Sequence, residues 1–395
     1  MRSISFKVVI SFLYLASTTV AEYPEYDYSN EASVPGGSGN VSQNQAVLHP
    51  LKYESWYRDF AAELDLISRS VCNLSLAAYR GDQNARATLG PVHDYCWSHA
   101  DCLLSTVSEH VKASFGGTSI LLGLAPTTLS VLGPSVAEMA LLSLHRPGLS
   151  LLLSLGAPAV FPGRFLLWND PLRANEASTG AFIIRPFSKK YAILVSVIQY
   201  LVAATACGNI LHATYAIGLR SIVSWDCRAS YWPLIWVVVS LVIHFTATAS
   251  LRAAIKRKTD ITTPRRQQYI SEPPNEGQRP NMTGVMTAIH NEVTPSANID
   301  WQVSDLYDVR LGPLAVVLQY TGAFVSVCHL MFGTLLFSSL QFIGVGDAVI
   351  LIMRLIASAT FCRIVLQFEM GGLIRVDEKR VYKGIVQAEE VNKQE

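Results

Sequence analysis

Charged residues are scarce in this sequence. Asp, Glu, Lys and Arg make up 15% of the 395 residues, whereas about 25% is usual in soluble domains. The net charge is +1, so the chain has no bulk basic character and nucleic acid is not expected as a partner. Half of the residues are hydrophobic. This composition excludes a mostly soluble chain and leaves no room for a large soluble domain beside the apolar stretches.

The short motifs of several common enzyme classes are also missing. The sequence contains no Gly-x-Ser-x-Gly elbow, no His-Glu-x-x-His and no phosphate-binding glycine-rich loop with Lys-Ser or Lys-Thr. We find no paired acid, base or nucleophile to place in an intramembrane active site. The sequence therefore indicates no enzyme class and no cofactor.

Long apolar stretches are what the sequence contains instead. A hydrocarbon core about 30 Å thick needs roughly 20 apolar residues in a helix. Four stretches meet this requirement, at about 191–211, 232–252, 314–337 and 345–366. They predict an all-α fold, a polytopic transmembrane helical bundle with two hairpins at 191–252 and 313–366.

The region 111–163 contains two further apolar pieces. The first, 113–133, is long enough to span, and the second, 139–161, is interrupted by His145, Arg146 and two prolines. We predict that the first piece crosses the bilayer and that the second is re-entrant or interfacial. This gives about five spans, and six is the alternative if both pieces cross.

The N-terminus is typical of an export signal. A basic start, a short apolar core and small residues before Ala21 predict a signal peptide over residues 1–21; an uncleaved signal anchor is the alternative. Residues 22–110 would then be extracytoplasmic, disordered to about residue 50 and helical after it. Asn40 and Asn73 lie in glycosylation sequons of this exported region.

Three segments rich in Lys and Arg determine the predicted topology. They are 164–190, the linker-like loop 253–312, predicted to be disordered, and the tail 367–395. The positive-inside rule places all three in the cytosol. Asn281 also lies in a sequon, but it would carry no glycan in a cytosolic loop. The chain is thus predicted in a membrane of the secretory pathway, with its N-terminus extracytoplasmic and its C-terminus cytosolic.

The densest group of reactive side chains has two interpretations. His93, Cys96, His99 and Cys102 are weak candidates for metal ligands. Steps of three residues rotate successive ligands by about 60° on a helix, so four would not converge without a turn. Disulfide formation is the favoured interpretation in an oxidising compartment. Two disulfides would use the four cysteines predicted outside the cytosol; Cys96–Cys102 with Cys72–Cys227 is one of three pairings.

Ionisable residues inside the predicted spans are the best functional pointers. Arg354 lies near the middle of the last span, and Asp347 is seven residues earlier on nearly the same helix face. His244 and His329 lie in two other spans. These residues would form a polar pathway, as in a transporter, or a structural network that fixes helix packing; we favour the network.

One resemblance adds to these observations. The chain resembles an uncharacterised family of multi-pass integral membrane proteins of filamentous fungi over its membrane region, in Leu121-Leu122-Gly123-Leu124-Ala125-Pro126-Thr127, Glu138, Arg146-Pro147, Gly156-Ala157-Pro158-Ala159-Val160, Cys362-Arg363, Glu369 and Gly371. The resemblance does not extend to the first ninety residues. It implies a fungal origin and carries no activity or site residues.

Three functions are compatible with these features. A membrane scaffold or sensor with a disulfide-bonded ectodomain is favoured. A small-molecule or ion transporter that uses Arg354 and Asp347 is the first alternative, and an accessory membrane protein of a fungal biosynthetic pathway is the second. The expected partners are the lipid bilayer and protein or small-molecule ligands that the sequence does not identify, and the chain could form an oligomer.

Overall fold

Five long helices dominate the architecture. The computed structural model describes residues 52–92, 94–162, 187–257, 284–298, 307–309 and 312–373. Each of the five helices is long and apolar enough to cross a membrane: α5 (Glu109–Leu132), α8 (Lys189–Arg220), α9 (Trp232–Ala254), α11 (Pro313–Ser338) and α12 (Val345–Leu373). The prediction of an all-α polytopic bundle is confirmed. The predicted signal peptide, residues 22–51, most of the 164–190 loop and the tail beyond Leu373 lie outside the described residues.

The shorter helices precede or connect these five. Four form an N-terminal helical domain, which we define as residues 52–107: α1 (Ala61–Arg69), α2 (Asn73–Arg80), α3 (Gln83–Leu89) and α4 (Tyr95–Thr106), after a 3-10 turn at Arg58–Phe60. Two ten-residue helices, α6 (Val136–His145) and α7 (Pro147–Gly156), follow α5. They occupy the stretch predicted to be re-entrant or interfacial, and each is too short to span a bilayer.

Local sequence signals explain several helix boundaries. The Asp82 carboxylate accepts hydrogen bonds from the first turn of α3, and Gly81 ends α2 at φ +104°, which favours glycine. Ser135 and Glu138 form a reciprocal capping box at the start of α6. Pro147 occupies the first turn of α7, where its missing N–H leaves no helical hydrogen bond unmade.

Two predicted boundaries differ from the structure. Helix α8 continues to Arg220, nine residues beyond the predicted end of its span, and α12 continues to Leu373. The sequence estimate followed apolar composition, whereas helical hydrogen bonding also continues through polar residues.

The 253–312 loop is not disordered throughout. Its described parts contain β2 (Ile255–Arg257), α10 (Gly284–Val293), a 3-10 turn at Ser296–Asn298 and β3 (Tyr307–Val309). β2 and β3 pair antiparallel, with Lys256 opposite Asp308. The prediction of disorder is therefore corrected for these residues. Backbone groups of Glu292 and Ser296 bond to buried side chains, which composition alone does not reveal.

The chain divides into two compact units. The first contains the described residues up to Thr128 together with Gly208–Val237 and Met331–Ile356. Its core lies around Leu64 and Leu103 of the N-terminal helical domain and includes Phe342, just before α12. In this unit β1 (Ile222–Val223) pairs antiparallel with β4 (Leu340–Gln341), just beyond the end of α8 and just before the start of α12.

The second unit contains Leu129–Cys207, Val238–Leu330 and the described residues from Ala357 onward. Helix α7 packs closely here through Gly156. A Cβ at this position would lie 2.7 Å from the Cys362 sulfur of α12 and 3.2 Å from the Ala206 Cβ of α8. Only glycine permits this approach without displacing a neighbour.

Candidate functional site

Four cysteines of the first unit form two disulfides. Cys72 is bonded to Cys102, and Cys96 is bonded to Cys227, with Cα–Cα distances of 5.9 and 6.0 Å. These are the four cysteines that the sequence predicts outside the cytosol, in a different pairing from the example given above. The second bridge links α4 of the N-terminal helical domain to the connection between α8 and α9.

The weak metal candidates do not converge. Cys96 and Cys102 belong to different disulfides, and His93 lies outside the described residues. Within the described ranges no group of three or more His, Cys, Asp or Glu could hold a metal ion. The fourth candidate, His99, is fully buried between two serines.

Hydrogen bonding identifies the tautomer of His99. The Ser75 hydroxyl donates to the Cys72 carbonyl, so it accepts from His99 Nδ1 at 2.9 Å. His99 Nε2 then accepts from the Ser68 hydroxyl at 3.0 Å. Burial, with a smaller effect of Arg80, lowers the pKa of His99 to about 4. His99 is therefore a neutral structural residue that crosslinks α1, α2 and α4.

Two polar contacts attach the N-terminal helical domain to the long helices of its unit. Lys52, 1% exposed, donates from Nζ to the carbonyls of Gly218 and Ser221, the latter at 3.0 Å, at the C-terminus of α8. A cation is favourable at this end of a helix. Desolvation lowers the pKa of Lys52 to about 8, although Asp226 opposes the shift. Capping of α8 thus explains a lysine that is almost completely buried.

The second attachment is at the start of α12. The Asp347 carboxylate accepts from the Asp59 backbone N–H at 2.8 Å, and the Asp59 carboxylate accepts from the Asp347 N–H at 3.0 Å. This exchange satisfies an amide of the first turn of α12, where negative charge is favourable. Asp347 therefore bonds to the N-terminal helical domain and not to Arg354.

Arg354 has different partners, on α8. Its Nε and Nη2 donate to the Asn209 side-chain oxygen at 3.0 and 2.8 Å, and the Asn209 amide donates back to the Arg354 carbonyl at 3.1 Å. Nη2 also lies 3.3 Å from Nδ1 of His212. We call Arg354, Asn209 and His212 the Arg354 centre. Asp347 is not among these partners.

The two intramembrane histidines are buried in the second unit. His244 of α9 is 6% exposed and His329 of α11 is 2% exposed. The His244 Nδ1 has no hydrogen-bond partner among the described residues, and its ring lies 5.7 Å from that of Phe245. Both histidines are thus enclosed within the packing of their own unit.

A second arginine forms the most completely buried ionic group. Arg146, between α6 and α7, is fully buried, and its Nη1 lies 3.0 Å from the equally buried carboxylate of Glu369 on α12. Nη1 also donates to Gln199 at 2.5 Å and Nη2 to Ser196 at 2.6 Å, both on α8. We call these four residues the Arg146 centre. The sequence prediction of sites did not include it, although a charge inside an apolar stretch was a signal for it.

Residues in the C-terminal half of the 253–312 loop cover the Arg146 centre. Arg146 Nε donates to the Glu292 carbonyl at 2.9 Å, and Ser296 N–H donates to the Glu369 carboxylate at 3.1 Å. The Glu292 carboxylate accepts from the Tyr200 hydroxyl and, at 2.9 Å, from the Leu149 amide in the first turn of α7. We call residues 292–298 the covering segment.

The predicted glycosylation sites can be placed only in part. Asn73 is exposed at the first position of α2, whereas Asn40 lies outside the described residues. Exposure is compatible with a glycan at Asn73.

Comparison with known proteins adds no assignment to these residues. No family model, no curated protein and no solved structure matches the chain.

Proposed function

We propose that the protein is a membrane scaffold that holds an extracytoplasmic helical domain in a fixed orientation on the bilayer. The observation that carries this proposal is the Cys96–Cys227 disulfide, which joins residues 131 positions apart. It connects the N-terminal helical domain covalently to the α8–α9 connection. Disulfides persist in oxidising compartments, which supports an extracytoplasmic location for this domain.

Further contacts restrict the same domain. Lys52 binds the C-terminus of α8, and Asp59 exchanges hydrogen bonds with Asp347 at the N-terminus of α12. Together with the disulfide, these contacts attach the domain at three separate places. A domain attached in this way has a fixed orientation. This suits a stationary binding surface for a partner better than a mobile binding domain.

The transporter alternative has less support. It requires Arg354 and Asp347 to act together, but each is bonded to other residues, Arg354 to Asn209 and Asp347 to Asp59. Coupled proton or ion movement through a bundle would need such groups to lie along one path. The accessory role in a fungal pathway and the fungal family remain predictions that no observation favours.

Native assembly size tests the scaffold proposal. Membranes of cells that express the protein naturally would be extracted with a styrene–maleic acid copolymer and separated by size. We expect the wild type in a hetero-complex that is lost in a Cys96→Ser, Cys227→Ser double variant. The control Cys328→Ser, a free and exposed cysteine, and Arg354→Gln should both retain the complex.

Two results would contradict the scaffold proposal. If the double variant keeps the complex, orientation of the domain is not what recruits the partner. If the wild type migrates alone and reconstituted vesicles show solute flux that Arg354→Gln abolishes, the transporter alternative replaces the scaffold.

A sensor is the second candidate function, and the covering segment favours it. The segment is part of the 253–312 loop, and it closes a buried ion pair: the Ser296 N–H donates to Glu369, and the Glu292 carbonyl accepts from Arg146. A segment held by such contacts can switch between a bound, ordered state and a released state. Hydrogen exchange of the Ser296 amide in vesicles distinguishes these functions. In a scaffold the amide stays protected from exchange under all conditions. In a sensor a stimulus releases the covering segment, and the amide then exchanges.

A further inference from the structure

Arg354 is a buried cation that has no counter-ion among the described residues. It is 6% exposed, and its partners there, Asn209 and His212, carry no negative charge. Two other arginines of the membrane region differ. Arg146 is paired with Glu369 at 3.0 Å, and Arg363 is paired with Glu138.

An unpaired charge in this environment is costly. Arginine stays protonated in proteins, and an arginine inside a hydrocarbon core needs a partner, water or access to the interface. The structure holds this guanidinium in place rather than letting it turn away, because Nε and Nη2 both donate to Asn209. A fixed and uncompensated guanidinium is suited to receive an anion.

Arg354 and His212 retain N–H groups that can bind one. Among the described residues no partner is found for Nη1 of Arg354. His212 Nδ1 accepts from Arg354 Nη2, so the neutral imidazole carries its proton on Nε2 and can donate from it. His212 is itself exposed on the surface of its unit. The centre therefore offers two kinds of N–H donor to a single oxyanion.

Open space lies beside these donors on α8. Gly208 is exposed, and no atom comes within 4 Å of a Cβ built on it. Because Gly208 is four residues before His212, the two lie on the same face of the helix, one turn apart. Packing does not require a glycine here, and we call the open space beside Gly208 the Gly208 notch.

The depth of the notch fits a lipid headgroup. Arg354 lies nine residues after the start of α12, and His212 lies eight residues before the end of α8, which is roughly 12–13 Å along each helix. The pairing of β1 with β4 places these two helix ends together. His212 directly follows the stretch of α8 that is predicted to span at about 191–211, so the centre is expected near the end of that span, within reach of headgroups.

We propose that the Arg354 centre binds a phosphate group, presented by a phospholipid headgroup through the Gly208 notch. Guanidinium groups bind phosphate oxygens in a bidentate manner, and His212 Nε2–H supplies a further donor. The exposure of His212 on the helix face that would meet lipid favours a lipid over free phosphate as the source. This site is independent of the proposed scaffold role.

Native mass spectrometry of the full purified chain tests the proposal. The probes are phosphatidylglycerol and a diacylglycerol with the same acyl chains and no phosphate. We expect the wild type to bind phosphatidylglycerol, and we expect its affinity to fall by about tenfold or more in Arg354→Gln, since hydrogen bonds to charged groups are worth a factor of this size. Diacylglycerol should not compete.

A notch-filling variant keeps the test independent of folding. Gly208→Leu leaves every hydrogen bond of the centre intact and should weaken phosphatidylglycerol binding to a similar extent. Gly116→Leu is the matched control, because Gly116 is another exposed glycine of a long apolar helix with open space around it. Binding to basic loops would be equal in both variants, so the difference between them reports on the notch.

Each outcome is decisive. Equal phosphatidylglycerol binding by the wild type, Gly208→Leu and Arg354→Gln would overturn the proposal, as would equal competition by diacylglycerol. Displacement of the lipid from the wild type and from Gly116→Leu by millimolar inorganic phosphate would support the phosphate site and assign its source to free phosphate.

Discussion

Substitution of Glu369 by glutamine removes one charge from the Arg146 centre and changes little else. The Glu369 Oε1 receives Arg146 Nη1 at 3.0 Å and the Gln199 amide at 2.6 Å. An amide of the same shape can still accept one of these hydrogen bonds. Arg146 would keep its contacts with Ser196 and Gln199, but its positive charge would be buried without compensation.

The expected loss of stability is large because both side chains are 0% exposed. Two unit charges at this separation attract by about 5 kcal/mol at an effective dielectric constant of 20. Removal of one partner of a buried pair destabilises by about 3–5 kcal/mol. We therefore expect Glu369→Gln to lower the free energy of unfolding by about 3–5 kcal/mol.

Two buried thiols provide the assay. Cys207 and Cys362 are free and buried, so a thiol-reactive dye labels them when the bundle opens in detergent. Loss of both charges in Arg146→Met with Glu369→Leu should restore most of the stability, since a buried pair is often replaceable by apolar residues. The reasoning fails if Glu369→Gln unfolds at the same denaturant concentration as the wild type.

Three further predictions concern single residues. Because burial lowers the pKa of His99 from 6.5 to about 4, only the unfolded state is protonated between these values. The stability of the N-terminal helical domain should therefore fall by about 3 kcal/mol as pH falls from 6.5 to 4, and His99→Gln should flatten this profile in thermal unfolding. Gly156→Ala should cost about 1–3 kcal/mol by overpacking against Cys362, measured by the same thiol labelling. Glycosidase should shift the wild type and Asn281→Gln on gels, with a smaller shift in Asn73→Gln.

The five spans could be predicted because they depend on local properties. Length and apolar composition decide whether a helix can cross a hydrocarbon core, and neither depends on contacts distant in sequence. The same argument identified 139–161 as too interrupted to span, because Arg146 and Pro147 divide it. The structure places the boundary between α6 and α7 at these two residues.

The disulfide pairing could not be predicted from the cysteine count. Four cysteines allow three pairings, and proximity in sequence favours Cys96 with Cys102. The two lie on one helix, α4, and each meets a different element: Cys102 meets Cys72, and Cys96 meets Cys227. Only the packing of α4 against its neighbours determines this choice.

Helix spacing does not predict the partners of Asp347 and Arg354. Residues seven apart share a face, yet they are about 10 Å apart along the axis, which is too far for a direct ion pair. Each side chain therefore bonds to the element that packs beside its own turn. For Arg354 this is α8, and for Asp347 it is the turn at Asp59.

The covering segment shows why disorder could not be judged from composition. Residues 292–298 are mostly polar and contain a proline, so they cannot build an apolar core of their own. They instead satisfy charges that other segments have already buried: Ser296 bonds to Glu369, and the Glu292 carbonyl bonds to Arg146. Withdrawal of the segment would leave both charges with fewer hydrogen bonds in a low-dielectric site, where an unsatisfied polar group is expensive. The order of the loop and the stability of the ion pair are therefore coupled, and neither could be inferred from its own stretch of sequence.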